Sequence, residues 1–134
     1  MYLSDHLALS GMIPAEIGEL KELQILSLIN NTVYGHIPRE IGKLSKLLDV
    51  DLHLNRLFGE IPIEFYSLSK MLTFNLGYNY LNGTLSPKIG KMSGLKGFHL
   101  KENLLSGPIP KEIGSLGDLR ECPSYFAALF LYYA

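Results

Sequence analysis

The chain has 134 residues, a formal charge of −1 at pH 7, 47% hydrophobic residues and 19% charged residues. These values suit one folded domain and exclude a strongly basic nucleic-acid binder or a disordered polyelectrolyte. Cys122, the only cysteine, excludes an intrachain disulfide and a multi-cysteine metal site, and it leaves the compartment unread.

The first stretch, MYLSDHLALSGMIP, has no basic residue ahead of an apolar run and already carries a recurring pattern, so it does not read as a signal peptide. Leu9, Gly11, Ile13, Pro14, Ile17 and Leu20 make a partial unit with Leu7 at its Asn position; His6 could replace that Asn after a one-residue insertion. The first full unit is Leu23, Leu26, Leu28, Asn31, Val33, Gly35, Ile37, Pro38, Ile41 and Leu44. The next, displaced by 24, is Leu47, Val50, Leu52, Asn55, Leu57, Gly59, Ile61, Pro62, Phe65 and Leu68. Then come Met71, Phe74, Leu76, Asn79, Leu81, Gly83 and Leu85, with Ser86 where Pro is expected, Pro87 one place later, and Ile89 and Met92. The last full unit is Leu95, Phe98, Leu100, Asn103, Leu105, Gly107, Ile109, Pro110, Ile113 and Leu116.

Leu119 opens a sixth unit, but Cys122, Ser124 and Ala127 fall where two apolar residues and Asn belong. The expected division is a repeat array over 1–121 and a non-repeat apolar tail over 122–134, either sequence read past an exon boundary or an improvised cap. The apolar run from Tyr125 to Ala134 is about half of the roughly 20 residues that a membrane-spanning helix needs, so no transmembrane span is expected.

A 24-residue period marks a stacked-repeat protein in which no unit buries its own apolar side, so neighbours must create the core. The alternation Leu26-Ser27-Leu28 has the period of a strand, giving one short strand per unit. Asn31, Asn55, Asn79 and Asn103 follow their strands, where an amide can satisfy backbone groups left unpaired as the chain turns; they are expected to form a buried ladder. Gly-x-Ile-Pro fits a second extended piece, and Ile-Gly-x-Leu a helical or 3₁₀ turn. Neither end shows a polar cap, so the open apolar ends and the tail are expected to drive association.

The motif LxxLxLxxNxLxGxIPxxIGxLxx, repeated from about Met1 to Glu121, resembles the plant-specific leucine-rich repeat, with Gly-x-Ile-Pro separating it from other subtypes. The resemblance implies an α/β repeat: a right-handed solenoid with a short parallel sheet on its concave face. It further implies similarity to ectodomains of plant receptor-like kinases and receptor-like proteins. Those bind peptides, small hormones, microbial molecules or co-receptors through concave and lateral surfaces, outside the cell or at its surface. This sequence shows no signal peptide, paired-cysteine cap, membrane span or kinase domain, so a truncated product acting as scaffold or decoy, or without function of its own, is the alternative.

Outward strand positions are the binding candidates: Ile25, Ser27, Ile29 and Asn30; Asp49, Asp51, His53 and Leu54; Thr73, Asn75, Gly77 and Tyr78; Gly97, His99, Lys101 and Glu102. Strands about 4.8 Å apart would set Asp51, Asn75 and His99 in one row, flanked by His53, Tyr78 and Lys101, for a polar or peptide-like ligand. A solvated face without ligand is the simpler alternative. Asp49, Asp51 and His53 could also be catalytic carboxylates or metal ligands, but a flat strand face gives no enclosed pocket to shift pKa values or exclude water. No nucleophile elbow, phosphate loop, zinc-protease or kinase signature is present, so no enzyme, metal or cofactor is expected. Two glycosylation sequons, Asn30-Asn31-Thr32 and Asn82-Gly83-Thr84, count if the chain is secreted; Asn30 falls where the sheet face is expected.

Overall fold

The structure, a computed structural model, describes residues 9–120. The readings that rest on His6, Leu7 and the tail 122–134 lie outside the described residues.

Among the described residues eight short strands form two parallel sheets. The first sheet joins β2 (Ile25–Ser27), β4 (Asp49–Asp51), β6 (Thr73–Asn75) and β8 (Gly97–His99), one strand per repeat. The apolar centres of these strands stack in register, Leu26 on Val50 on Phe74 on Phe98, and all four are fully buried. Phe74 and Phe98 lie face to face at 5.4 Å between centroids, and Phe65 meets Phe74 edge-on at 5.2 Å, so aromatic geometry adds to plain area burial here.

The second sheet joins β1 (Ser10–Met12), β3 (Thr32–Gly35), β5 (Arg56–Glu60) and β7 (Tyr80–Asn82). The second extended piece therefore lies earlier than the Gly-x-Ile-Pro motif suggests: it runs through the x-Leu-x-Gly residues before the prolines. Prolines cannot donate to a ladder, so pairing stops ahead of them. Pairing here links residues 22 apart, such as Met12 with Tyr34 and Phe58 with Tyr80, whereas the first sheet links residues 24 apart.

Each repeat closes on a 3₁₀ turn: Ala15–Glu19, Arg39–Lys43, Ile63–Ser67, Pro87–Lys91 and Lys111–Ser115. Among the described residues every helical piece is of this kind, so the helical part of the expected α/β repeat is 3₁₀ rather than α. The turns stack closely. A Cβ placed on Gly42 would stand 2.7 Å from both the Cβ and the carbonyl oxygen of Glu64 in the next turn, which explains the glycine of Ile-Gly-x-Leu. Together the elements make a leucine-rich-repeat solenoid whose core runs as one cluster from Ile13 to Leu116.

Candidate ligand-binding surface

The turn leaving the first sheet is built around the asparagines. Asn55 Nδ2 donates to the carbonyls of Leu28 (2.7 Å), Leu52 (3.1 Å) and His53 (3.3 Å), while its Oδ1 accepts from Val33 N (3.0 Å). Asn79 repeats this with Leu52, Leu76 and Gly77 as acceptors and Leu57 N as donor. Asn103 reaches Leu76 and Leu100 and accepts from Leu81 N, and Asn31 reaches Leu28 and Ile29 and accepts from Leu9 N. Asn55 and Asn79 are buried, whereas Asn31 and Asn103 are only partly so. Among the described residues no buried side-chain nitrogen or oxygen lacks a partner.

Just before each ladder Asn the chain takes a left-handed step, with φ near +55° at Asn30, Leu54, Tyr78 and Glu102. None of the four is glycine, so the repeat holds an ordinary side chain in a strained region by the amide bonds that follow it. Tyr78 and Glu102 therefore belong to the turn at the rim of the sheet, not to its strands. Asn30 occupies the same turn and is exposed, so its sequon is not on the sheet face.

The outward positions meet as follows. Register sets Ser27, Asp51, Asn75 and His99 in one row and Ile25, Asp49, Thr73 and Gly97 in the next. Ser27 is only 5% exposed, and Gly77 and Gly97 are buried, so these outward positions offer little to a ligand. Asp51 Oδ1 lies 2.6 Å from His53 Nδ1 and accepts from the His53 backbone N–H at 3.2 Å. Asn75 Oδ1 likewise accepts from Gly77 N at 3.1 Å. Thr73 Oγ1 donates to Asp49 Oδ1 at 2.6 Å, and Lys101 Nζ sits 5.7 Å from the Tyr78 ring centroid. The polar groups are thus held in fixed poses on an open face. A shallow depression at its rim is lined by Tyr78, Tyr80, Glu102 and Leu104.

Among the described residues no cluster of three or more His, Cys, Asp or Glu could hold a metal ion. No described helix is long and apolar enough to cross a membrane. One exposed apolar surface was not singled out from sequence: Met12, Tyr34, Phe58 and Tyr80 on the outer face of the second sheet. Its signal was available in the alternate x positions of Asn-x-Leu-x-Gly-x-Ile-Pro, once those residues are read as a strand.

No protein-family model and no curated protein sequence matches the chain. Solved structures do. The chain is 36% identical to the leucine-rich-repeat ectodomain of the receptor kinase SOBIR1 from Arabidopsis thaliana, with a TM-score of 0.82 over 87% of this chain and 62% of that one. It is 34% identical to a plant ice-binding protein, with a TM-score of 0.83 over 90% of this chain and 40% of that one. It is 31% identical to the ectodomain of the Arabidopsis thaliana receptor kinase GASSHO1/SCHENGEN3, solved in complex with CASPARIAN STRIP INTEGRITY FACTOR 2; the TM-score is 0.81 over 85% of this chain and 14% of that one. The chain spans less than two thirds of each of the three.

Proposed function

We propose that this leucine-rich-repeat array, similar to plant receptor-kinase ectodomains, is a non-enzymatic recognition module that binds a protein or peptide through its concave face, outside the cell or at its surface. The observation that carries this reading is the in-register row Asp51, Asn75 and His99 with Asp49 and Thr73 beside it. Side chains already fixed by hydrogen bonds lose little further entropy when a ligand docks, so such a face favours recognition without chemistry. His53, Tyr78, Lys101 and Glu102 flank the row and complete the contact set. Asp49 and Asp51 favour basic residues over the middle of the array, and Lys101 an acidic group further along. The ectodomain–ligand complex of GASSHO1/SCHENGEN3 supports the same kind of use. A co-receptor ectodomain is the second kind of partner that the resemblance implies. The array over 1–121 would carry this function, with 122–134 outside it.

Panning a displayed random-peptide library on the full chain tests the reading. Peptides that bind the chain and lose binding when Asp51, Tyr78 and His99 are changed together to Ala, with the circular dichroism spectrum retained, are the expected result. Failure to enrich any peptide, or equal binding to the triple variant, overturns it.

A further inference from the structure

On β7, Tyr80 and Asn82 are exposed and Leu81 between them is buried, so the two side chains share the outer face of the second sheet. Phe58 is the register partner of Tyr80, and Glu60 of Asn82. Tyr80 is 56% and Phe58 44% exposed, and the His36 ring meets Phe58 edge-on at 4.8 Å from its other side. Asn82 opens the sequon Asn82-Gly83-Thr84, so an acceptor amide stands on the same face as two bare aromatic rings.

We propose that Asn82 carries an N-linked glycan whose first N-acetylglucosamine lies over Tyr80 and Phe58, making this aromatic surface an intramolecular sugar platform. The C–H groups on one face of a pyranose are the positive edge that an aromatic face attracts, as in edge-to-face aromatic pairs. Alternate residues of a strand stand roughly 6.7 Å apart, a span that the Asn side chain and its linked sugar bridge. The donor is a lipid-diphosphate-linked oligosaccharide of the secretory route. Asn82 Nδ2 bonds to the sugar C1 as the bond from C1 to the diphosphate oxygen breaks, and the amide gives up one proton. Transfer to the unfolded chain leaves the stacking to form as the second sheet closes.

The other sequon provides an internal contrast. Two residues before Asn30 stands Leu28, which is not aromatic and is only 4% exposed, and Asn30 itself is in a left-handed turn, so that sequon lacks the strand position that Tyr80 fills two residues before Asn82. Asn82 and Phe58 belong to the second sheet, and Tyr80 also lines the depression at the rim of the first, so the test reads glycan occupancy and thermal midpoints and not ligand binding.

The test is secretion of the full chain, fused to a leader, from plant cells, with peptide mass spectrometry at Asn82. Thermal midpoints are compared for the intact glycan, for the glycan trimmed to one N-acetylglucosamine, and after complete removal. Asn82→Gln serves as the control for the aspartate that removal leaves. The expected result is occupancy at Asn82, a midpoint kept on trimming, and a fall of roughly 3–6 °C on complete removal and in Asn82→Gln. Tyr80→Ala abolishes that glycan-dependent difference, and the N-acetyl methyl shows a nuclear Overhauser contact to the Tyr80 ring. An unmodified Asn82, no such contact, or the same fall in the parent and Tyr80→Ala overturns the proposal.

Discussion

Asn55 ties its own repeat to the preceding one: its Nδ2 lies 2.7 Å from the carbonyl oxygen of Leu28, 27 residues earlier in the chain. Asn79 makes the same link to Leu52 at 2.9 Å and Asn103 to Leu76 at 2.8 Å. The bonds run between repeats as well as within them, so the ladder is a device for stacking and not only for turning.

Removal of a ladder amide should therefore cost more where the amide is buried. Asn79→Ala leaves Leu57 N–H and the carbonyls of Leu52, Leu76 and Gly77 without their side-chain partner, and buried unpaired groups cost about 1–3 kcal/mol each. A loss of roughly 3 kcal/mol or more is expected for Asn79→Ala, and about half of that for the partly exposed Asn103→Ala. Urea unfolding at constant slope measures both. Equal losses would show that burial of the ladder is not what gives it its strength.

Stacking of the 3₁₀ turns makes the glycine of Ile-Gly-x-Leu position-dependent. At Gly42 an added Cβ meets Glu64 atoms at 2.7 Å, while at Gly114 no described atom lies within 4 Å. Gly42→Ala should destabilise by about 1–3 kcal/mol, and Gly114→Ala should stay within about 0.5 kcal/mol of the parent. Thermal midpoints of the two single variants give the comparison.

The missing proline at Ser86 has a use. Ser86 keeps an N–H, which donates to the hydroxyl of buried Tyr66 at 3.4 Å, and its Oγ accepts from Lys88 N at 3.2 Å at the start of the 3₁₀ turn. Burial raises the Tyr66 phenol above its ordinary range, and the bond from Ser86 offsets this only in part. A phenol whose folded pKa exceeds its unfolded value contributes stability that is whole below about pH 10 and falls as pH rises through the folded value. Tyr66→Phe should flatten that alkaline loss while costing about 1 kcal/mol at neutral pH for the lost acceptor. Guanidinium unfolding between neutral pH and about pH 11 reads both effects.

The repeat, the strands of the first sheet and the core were legible in the residues, because apolar spacing reports burial directly: Leu26, Val50, Phe74 and Phe98 stack as their shared position requires. The second sheet lies ahead of the Gly-x-Ile-Pro signal because Gly and Pro mark where Thr32–Gly35 ends and not where it runs. The left-handed turns at Leu54 and Tyr78 carried no signal, since the strain there is held by a neighbouring amide and not relieved by glycine. On the concave face, identity and register could be read from the sequence. The pairing of Asp51 with His53 and the burial of Ser27 depend on side-chain rotation and on neighbouring repeats, which spacing does not encode.

The affinity of a library-selected peptide, measured by titration calorimetry against four versions of the chain, tests the central claim most directly. The parent, Asp51→Ala, His99→Ala and Phe58→Ala are compared, the last changing only the other sheet. Recognition on the concave face requires a loss of roughly tenfold or more, about 1.4 kcal/mol, for Asp51→Ala and His99→Ala with Phe58→Ala unchanged. Unchanged binding by the first two variants and a loss in Phe58→Ala would contradict it.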